Sequence, residues 1–132
     1  MNYLIDTHVL LWSLFDTSKL SKKVYSILSD IENEIFVSSI TFWEISLKYS
    51  IGKLSLENIL PDELPGYTVK AGYKILNPDE KITSSFYKLA NYEHGDPFDK
   101  LLIWQEICED YVMISKDSKF KQYEKHGLRI VW

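Results

Sequence analysis

The sequence predicts an α/β fold in which helices pack against a mainly parallel sheet. Three observations carry this expectation. Short apolar runs rich in β-branched and aromatic residues recur along the chain, as in Ile35-Phe36-Val37-Ser38-Ser39. Stretches with apolar residues at helical spacing lie between them. Alternation of the two requires crossover connections, and hence parallel strands joined in the right-handed sense. At 132 residues the chain is expected to form a single domain, residues 1–132.

Each element has a local reason. Residues 3–5 (Tyr-Leu-Ile) read as a short buried strand ending at Asp6-Thr7, and residues 8–15 as a helix. Ser18 is placed as the cap of a second helix, with Leu20, Val24, Ile27, Leu28 and Ile31 at helical spacing. Residues 35–39 form a strand, and residues 40–51 a third helix stopped near Gly52. Residues 54–72 carry Pro61, Pro65, Gly66 and Gly72 and read as short helices. A strand at 73–76 and a helix at 79–89 follow. Asp96-Pro97-Phe98-Asp99 supplies an acidic N-cap, a proline at the first helical position and an acid in the first turn, so a helix runs from there to about residue 109. Residues 111–115 form a strand, Asp117 caps a short helical turn, and residues 129–131 form the last strand.

Composition bounds the function. The chain is 45% hydrophobic, 14% aromatic and 26% charged, which is a globular profile rather than a disordered one. No apolar run approaches the ~18 residues of a membrane span, so no membrane association is expected. Asp6 and His8 interrupt the apolar start, which argues against a signal peptide. The single cysteine, Cys108, lies in an apolar stretch and reads as a reduced core thiol of a cytoplasmic protein. Nineteen acidic residues against 15 basic ones exclude a strongly basic nucleic-acid binder. The last 22 residues nevertheless hold Lys116, Lys119, Lys121, Lys125 and Arg129 against Asp117 and Glu124, a local basic rim able to hold a phosphate backbone.

The acids are the informative residues. Asp6 ends the first strand, Asp117 follows the 111–115 strand, and Asp99 opens the helix leading into that strand. Glu44 lies about one turn into the third helix, sharing a face with Ile40, Leu47 and Ile51. Four acids from four segments thus fall near one sheet edge, the edge where open α/β folds bind ligands. Singly, Asp6, Asp96, Asp99 and Asp117 also read as helix or turn caps, and Lys48 offers Glu44 an i,i+4 surface partner. Together, and without a basic partner, they would repel unless a cation sat among them. Hard oxygen donors select Mg²⁺ or Mn²⁺, and such a site can activate water against a phosphodiester. His8, His94 and His126 are scattered without metal-ligand spacing and read as structural. There is no Gly-rich phosphate loop, no GxSxG elbow and no CxxC pair.

These residues resemble a known family. Asp6-Thr-His-Val-Leu-Leu-Trp12, Trp43-Glu44-Ile45, the run from His94 through Asp96-Pro97-Phe98-Asp99 to Ile103, Ser115-Lys-Asp117 and the closing Ile130-Val131-Trp132 are similar, in order, to the PIN domain. More narrowly they resemble the VapC-family toxins of bacterial type II toxin–antitoxin pairs. The resemblance implies a PIN-like three-layer α/β/α sandwich and an Mg²⁺- or Mn²⁺-dependent endoribonuclease, with RNA as substrate, a cognate antitoxin as partner and room for a homodimer. By position, Asp6, Glu44 and Asp99 match the three core acids, Asp117 the more variable fourth, and Asp96 an additional aspartate serving as cap or outer ligand. The chain departs from the pattern at Lys100, at Ser115 and in the bulky, acidic run Ile103-Trp104-Gln105-Glu106.

Two other readings compete. A stand-alone RNA-processing PIN nuclease would share the site but have no antitoxin. A receiver-like phosphoacceptor module also gathers acids at this sheet edge, but it needs paired acids after the first strand and an aspartate after a central one. Here those positions hold Asp6-Thr7 and Ser38-Ser39.

Overall fold

The structure, a computed structural model, describes residues 1–89 and 95–132. Five strands, β1 (Asn2–Ile5), β2 (Glu34–Ser38), β3 (Lys74–Leu76), β4 (Val112–Ile114) and β5 (Ile130–Val131), form one sheet in the order β3-β2-β1-β4-β5. Every pairing is parallel, so the mainly parallel sheet expected from the sequence is wholly so. The strand order reverses at β1, with β2 on one side and β4 on the other. A cleft therefore opens beyond their carboxyl ends, where the crossovers part to opposite faces.

Alternation along the strands builds two cores. Tyr3, Ile5, Ile35, Val37, Val112 and Ile114 face a layer made by α1 (Thr7–Phe15), α2 (Lys22–Ser29), α3 (Ser39–Ser50) and α4 (Leu64–Lys70), with Val9, Val24, Ile45 and Leu64 in the contact. Leu4, Phe36 and Met113 face the other way, onto Leu102 and Ile103 of α6 (Pro97–Glu109) and onto Phe120 and Tyr123. This is the three-layer α/β/α sandwich. Leu4 and Ile5 are fully buried on opposite faces, which is why β1 reads as a continuous apolar run. Among the described residues no helix is long and apolar enough to cross a membrane.

Several boundaries differ from expectation for identifiable reasons. Ser21, not Ser18, caps α2, accepting from the Val24 amide at 3.1 Å. Ser18 instead bonds Asp16 at 2.5 Å within a 3₁₀ turn, and Ile31 lies beyond the helix, 94% exposed. The helix expected over 79–89 stops after α5 (Glu80–Ser84) and continues as a 3₁₀ turn, Phe86–Lys88. The Trp104 indole donates to the Ile82 carbonyl (3.0 Å) and to Ser85 Oγ (3.1 Å), taking up an acceptor that another helical turn would use. Gly52, at φ 76°, ends α3 as expected. Cys108 is exposed, not a core thiol, because α6 turns Leu102, Ile103, Gln105 and Glu106 inward and leaves position 108 on its outer side.

The unusual run in α6 places Gln105 and Glu106 in the core, both fully buried. Gln105 donates to the Leu76 carbonyl at 3.2 Å, tying α6 to the edge strand β3. Neither carboxylate oxygen of Glu106 has a hydrogen-bond partner. Burial pushes its carboxyl up to about 8, while the Arg129 charge and nearby amide pull the other way. A raised acid is protonated in the native state, so its contribution is complete below the unfolded value near 4.5 and is lost as pH rises through about 8. Glu106→Gln should therefore leave the melting temperature unchanged at pH 4 and raise it by on the order of 5 °C at pH 8. Thermal denaturation across that range checks it, and an equal slope in both proteins would contradict it.

Candidate metal centre

The site forms at the cleft between β1 and β4. Asp6 follows β1 and is 5% exposed. Its Oδ1 accepts from the Val9 amide at 2.9 Å and caps α1, while Oδ2 accepts from Ser115 Oγ at 2.5 Å. Ser115 follows β4, and its hydroxyl also accepts from the Asp117 amide at 3.1 Å. Asp117 Oδ1 accepts from Lys119 N (2.9 Å), capping the 3₁₀ segment Ser118–His126. The capping and site readings of Asp6 thus coexist, because a carboxylate has two oxygens and each serves one purpose.

The opposite wall comes from α3 and α6. Glu44 is 4% exposed, but the apolar face argued for it is not a buried one: Leu47 and Ile51 are 40% and 57% exposed. The inward face is Thr41, Glu44 and Ile45. Glu44 Oε1 accepts from Thr7 Oγ1 at 2.6 Å, which fixes the carboxylate from the first turn of α1. Its Oε2 is paired with the Lys48 ammonium, which also lies 3.8 Å from Asp96 Oδ2. Asp96 Oδ1 caps α6 through the amides of Phe98 (2.9 Å) and Asp99 (3.3 Å). One carboxylate oxygen from each of Glu44, Asp96 and Asp99 falls within a 4.8 Å group. Asp96 is therefore inside the cluster, not merely a cap. Asp6 and Asp117 adjoin it without entering that group.

Electrostatics tie the five acids together. Burial and then the charges of Asp96, Glu44, Asp117 and Asp6 push the Asp99 carboxyl up to about 7. Asp6 is raised by burial and by Asp117, against the lowering effect of the Ser115 hydroxyl and Val9 amide. Burial disfavours the Lys48 charge, yet its hydrogen bond to Glu44 and the charges of Glu44, Asp96 and Asp99 outweigh that and raise it. The expectation of acids without a basic partner is thus corrected. Lys48 folds over the site from one turn beyond Glu44. Thr7 and the role of Ser115 as a donor to Asp6 were not read from the sequence, and Lys48, read there as a surface partner of Glu44, reaches Asp96 as well. The signal was adjacency: Thr7 follows Asp6, and Lys48 is at i+4 from Glu44. Among the described residues no histidine or cysteine joins the cluster. His8 and His126 are exposed, and His94 lies outside the described residues.

One lysine does not neutralise five acids, and the raised Asp99 carboxyl records the shortfall. The donor set is all carboxylate oxygen, which suits a hard divalent cation rather than zinc.

Comparison with known proteins agrees with this fold. The sequence has no significant match among curated proteins. By structure, the chain is similar to a chain of VapBC2 from Rickettsia felis solved bound to a promoter DNA fragment, with a TM-score of 0.70, 17% identity and coverage of 99% of this chain and 98% of that one. It is similar to VapBC-1 from nontypeable Haemophilus influenzae (TM-score 0.68, 19% identity, 99% and 97% covered). It also resembles FitAcB from Neisseria gonorrhoeae (TM-score 0.68, 17% identity, 98% and 96% covered). Identities this low speak for the shared fold. Residues 3–126 match the family model of the PIN domain, which spans both walls of the cleft and all five acids: the chain belongs to the PIN domain family.

Proposed function

We propose that this PIN-domain protein is a divalent-metal-dependent endoribonuclease, the toxin of a type II toxin–antitoxin pair acting in the cytoplasm. The observation that carries the reading is the Asp99 carboxyl, held with Glu44 and Asp96 in one group and raised by burial and then by four neighbouring acids. Glu44, Asp96 and Asp99 would hold the ion, with Asp6 and Asp117 at the adjoining strand ends. Bound there, Mg²⁺ or Mn²⁺ would supply Lewis-acid charge and an activated water for phosphodiester cleavage. The chain's own residues do the positioning. Thr7 orients Glu44, Ser115 orients Asp6, and the helix caps fix Asp96 and Asp117. Lys48 holds the place of a cation when none is bound, and its flexible stem lets it withdraw.

The antitoxin reading is supported by the VapBC and FitAcB complexes among the structural neighbours and by apolar surface near α1 and α4. Leu60, Tyr67 and Val69 are 55%, 41% and 60% exposed. A groove of about 570 Å³ runs beside them between Leu11, Trp12 and Phe15 and the 55–59 segment. Leu64 is wholly buried in the core, so a charge there would unfold the protein rather than probe docking. Trp43 lines a separate pocket of about 260 Å³ with Phe86 and Phe98.

Four outcomes are expected. Asp6→Asn, Glu44→Gln and Asp99→Asn should each lower metal-dependent RNA cleavage by about a hundredfold or more, and Asp117→Asn by about tenfold. Asp96→Asn separates two roles, since asparagine caps a helix as well as aspartate. Cleavage should fall while the melting temperature holds, and wild-type cleavage by the Asp6 and Asp99 variants would refute the assignment. Binding of the ion must displace the Asp99 proton, so millimolar Mg²⁺ or Mn²⁺ should raise the melting temperature more at pH 8 than at pH 6. In Asp99→Asn that difference should disappear, as read by paired thermal scans. Co-expression with the product of the neighbouring gene should give a complex on size-exclusion chromatography that suppresses cleavage, and Leu60→Asp should weaken it. Separate elution with cleavage unaffected would favour a stand-alone RNA-processing nuclease.

A further inference from the structure

We propose that a single-stranded RNA reaches the acid cleft along one particular surface: the groove between α2, the turn after β4 and the C-terminus, with Trp12 and Trp132 as stacking platforms. The proposal rests on the nuclease reading for its biological sense, but not for its test. The groove encloses about 440 Å³ and is lined by Lys23, Lys116 and Lys121, by Asp117 and Glu124, and by Trp132. Asp117 is one of the five acids, so the groove opens directly onto the cleft. Of the basic rim read from the end of the chain, Arg129 is turned away and pairs with Asp110 at 3.3 Å before β4, at the opposite end of the strands. Lys23, from α2, joins Lys116 and Lys121 instead. All three are exposed, and among the described residues none is held in an ion pair.

Aromatic rings connect this groove to Asp6. His8, two residues after Asp6, lies 5.7 Å from Trp12 between ring centroids, and Trp12 lies 5.9 Å from Trp132. Lys116 Nζ stands 6.0 Å over the Trp12 ring. An ammonium resting on an indole face marks a surface that accepts a planar π-system or a cation in its place. A stacked base would take that face, freeing Lys116 for the adjoining phosphate. Charged groove and aromatic platform together are what sequence-tolerant binding of a single strand uses. The acids Asp117 and Glu124 at the rim would repel a strand lying flat over them, which confines the phosphates to the lysine side.

The test is fluorescence anisotropy with a labelled short single-stranded RNA, in EDTA so that nothing is cut, titrated over a range of salt. Wild-type protein should bind. Lys23→Ala and Lys121→Ala should each weaken binding and lower the salt slope by up to ~0.7. Lys74→Ala, on the edge strand farthest from the groove, should change neither. Trp12→Leu should weaken binding about tenfold or more with the slope retained, and Trp12→Phe should restore most of it, which loss of fold would not allow. Absence of wild-type binding, or variants that bind as wild type, would overturn the groove while leaving a separate cleavage assay free to support the nuclease. Loss of binding in Trp43→Leu instead of Trp12→Leu would overturn it too, placing the strand on the Trp43–Phe98 side. Polyglutamate binding as well as RNA, with Trp12→Leu neutral, would mean a docking face for an acidic protein segment. Binding lost in the groove variants, with no metal-dependent cleavage by wild type, would sustain the groove and sink the nuclease reading.

Discussion

Mutual repulsion among carboxylates is the constraint to which the rest of this structure answers. Five acids from four segments converge at the carboxyl end of a parallel sheet, and burial strengthens the repulsion by excluding water. The surroundings compensate with oriented donors. Asp6 takes a hydroxyl and an amide, Glu44 a hydroxyl, Asp96 two amides and Asp117 one. Lys48 adds one mobile positive charge shared between Glu44 and Asp96. Two apolar cores, one on each face of β1, hold this arrangement in place. Local cost at a functional edge, offset by packing elsewhere, is the expected pattern for a site that awaits a ligand.

Much of this was legible because topology follows from patterning. Once short apolar strands alternate with helices, strand ends and helix starts share an edge, and the positions of Asp6, Asp99 and Asp117 follow from that alone. Glu44 was reached by a flawed route. Its supposed stripe of Ile40, Leu47 and Ile51 is largely outward, and what buries it is the Thr41, Glu44, Ile45 face packed on α1. Periodicity identifies residues that share a face but not which of two faces turns inward when both carry apolar groups. The same ambiguity hid Lys48, which reads equally as a surface partner or as a charge folded into the cleft.

Other misses were tertiary in origin. Helix α5 stops where a distant indole takes a carbonyl, and no local propensity records that. Residues 54–72 read only as short helices, and which side turns inward was not legible: Leu64 is core while Leu60 is exposed. The basic rim was read as contiguous, but its members lie at opposite ends of β4 and β5, and its true companion comes from α2.

The bond between Ser115 and Asp6 joins residues 109 positions apart. β4, which completes the pairing of β1, likewise leaves the ribosome on the order of a hundred residues after it. At ~5–20 residues per second, on the order of ten seconds separate the synthesis of the two. Closing so long a loop is also slow on the folding timescale. A nascent chain therefore carries Asp6 as an ordinary side chain, without its Ser115 partner, until β4 has followed. The wall formed by Asp6, Ser115 and Asp117 comes into being only once β4 has joined the sheet.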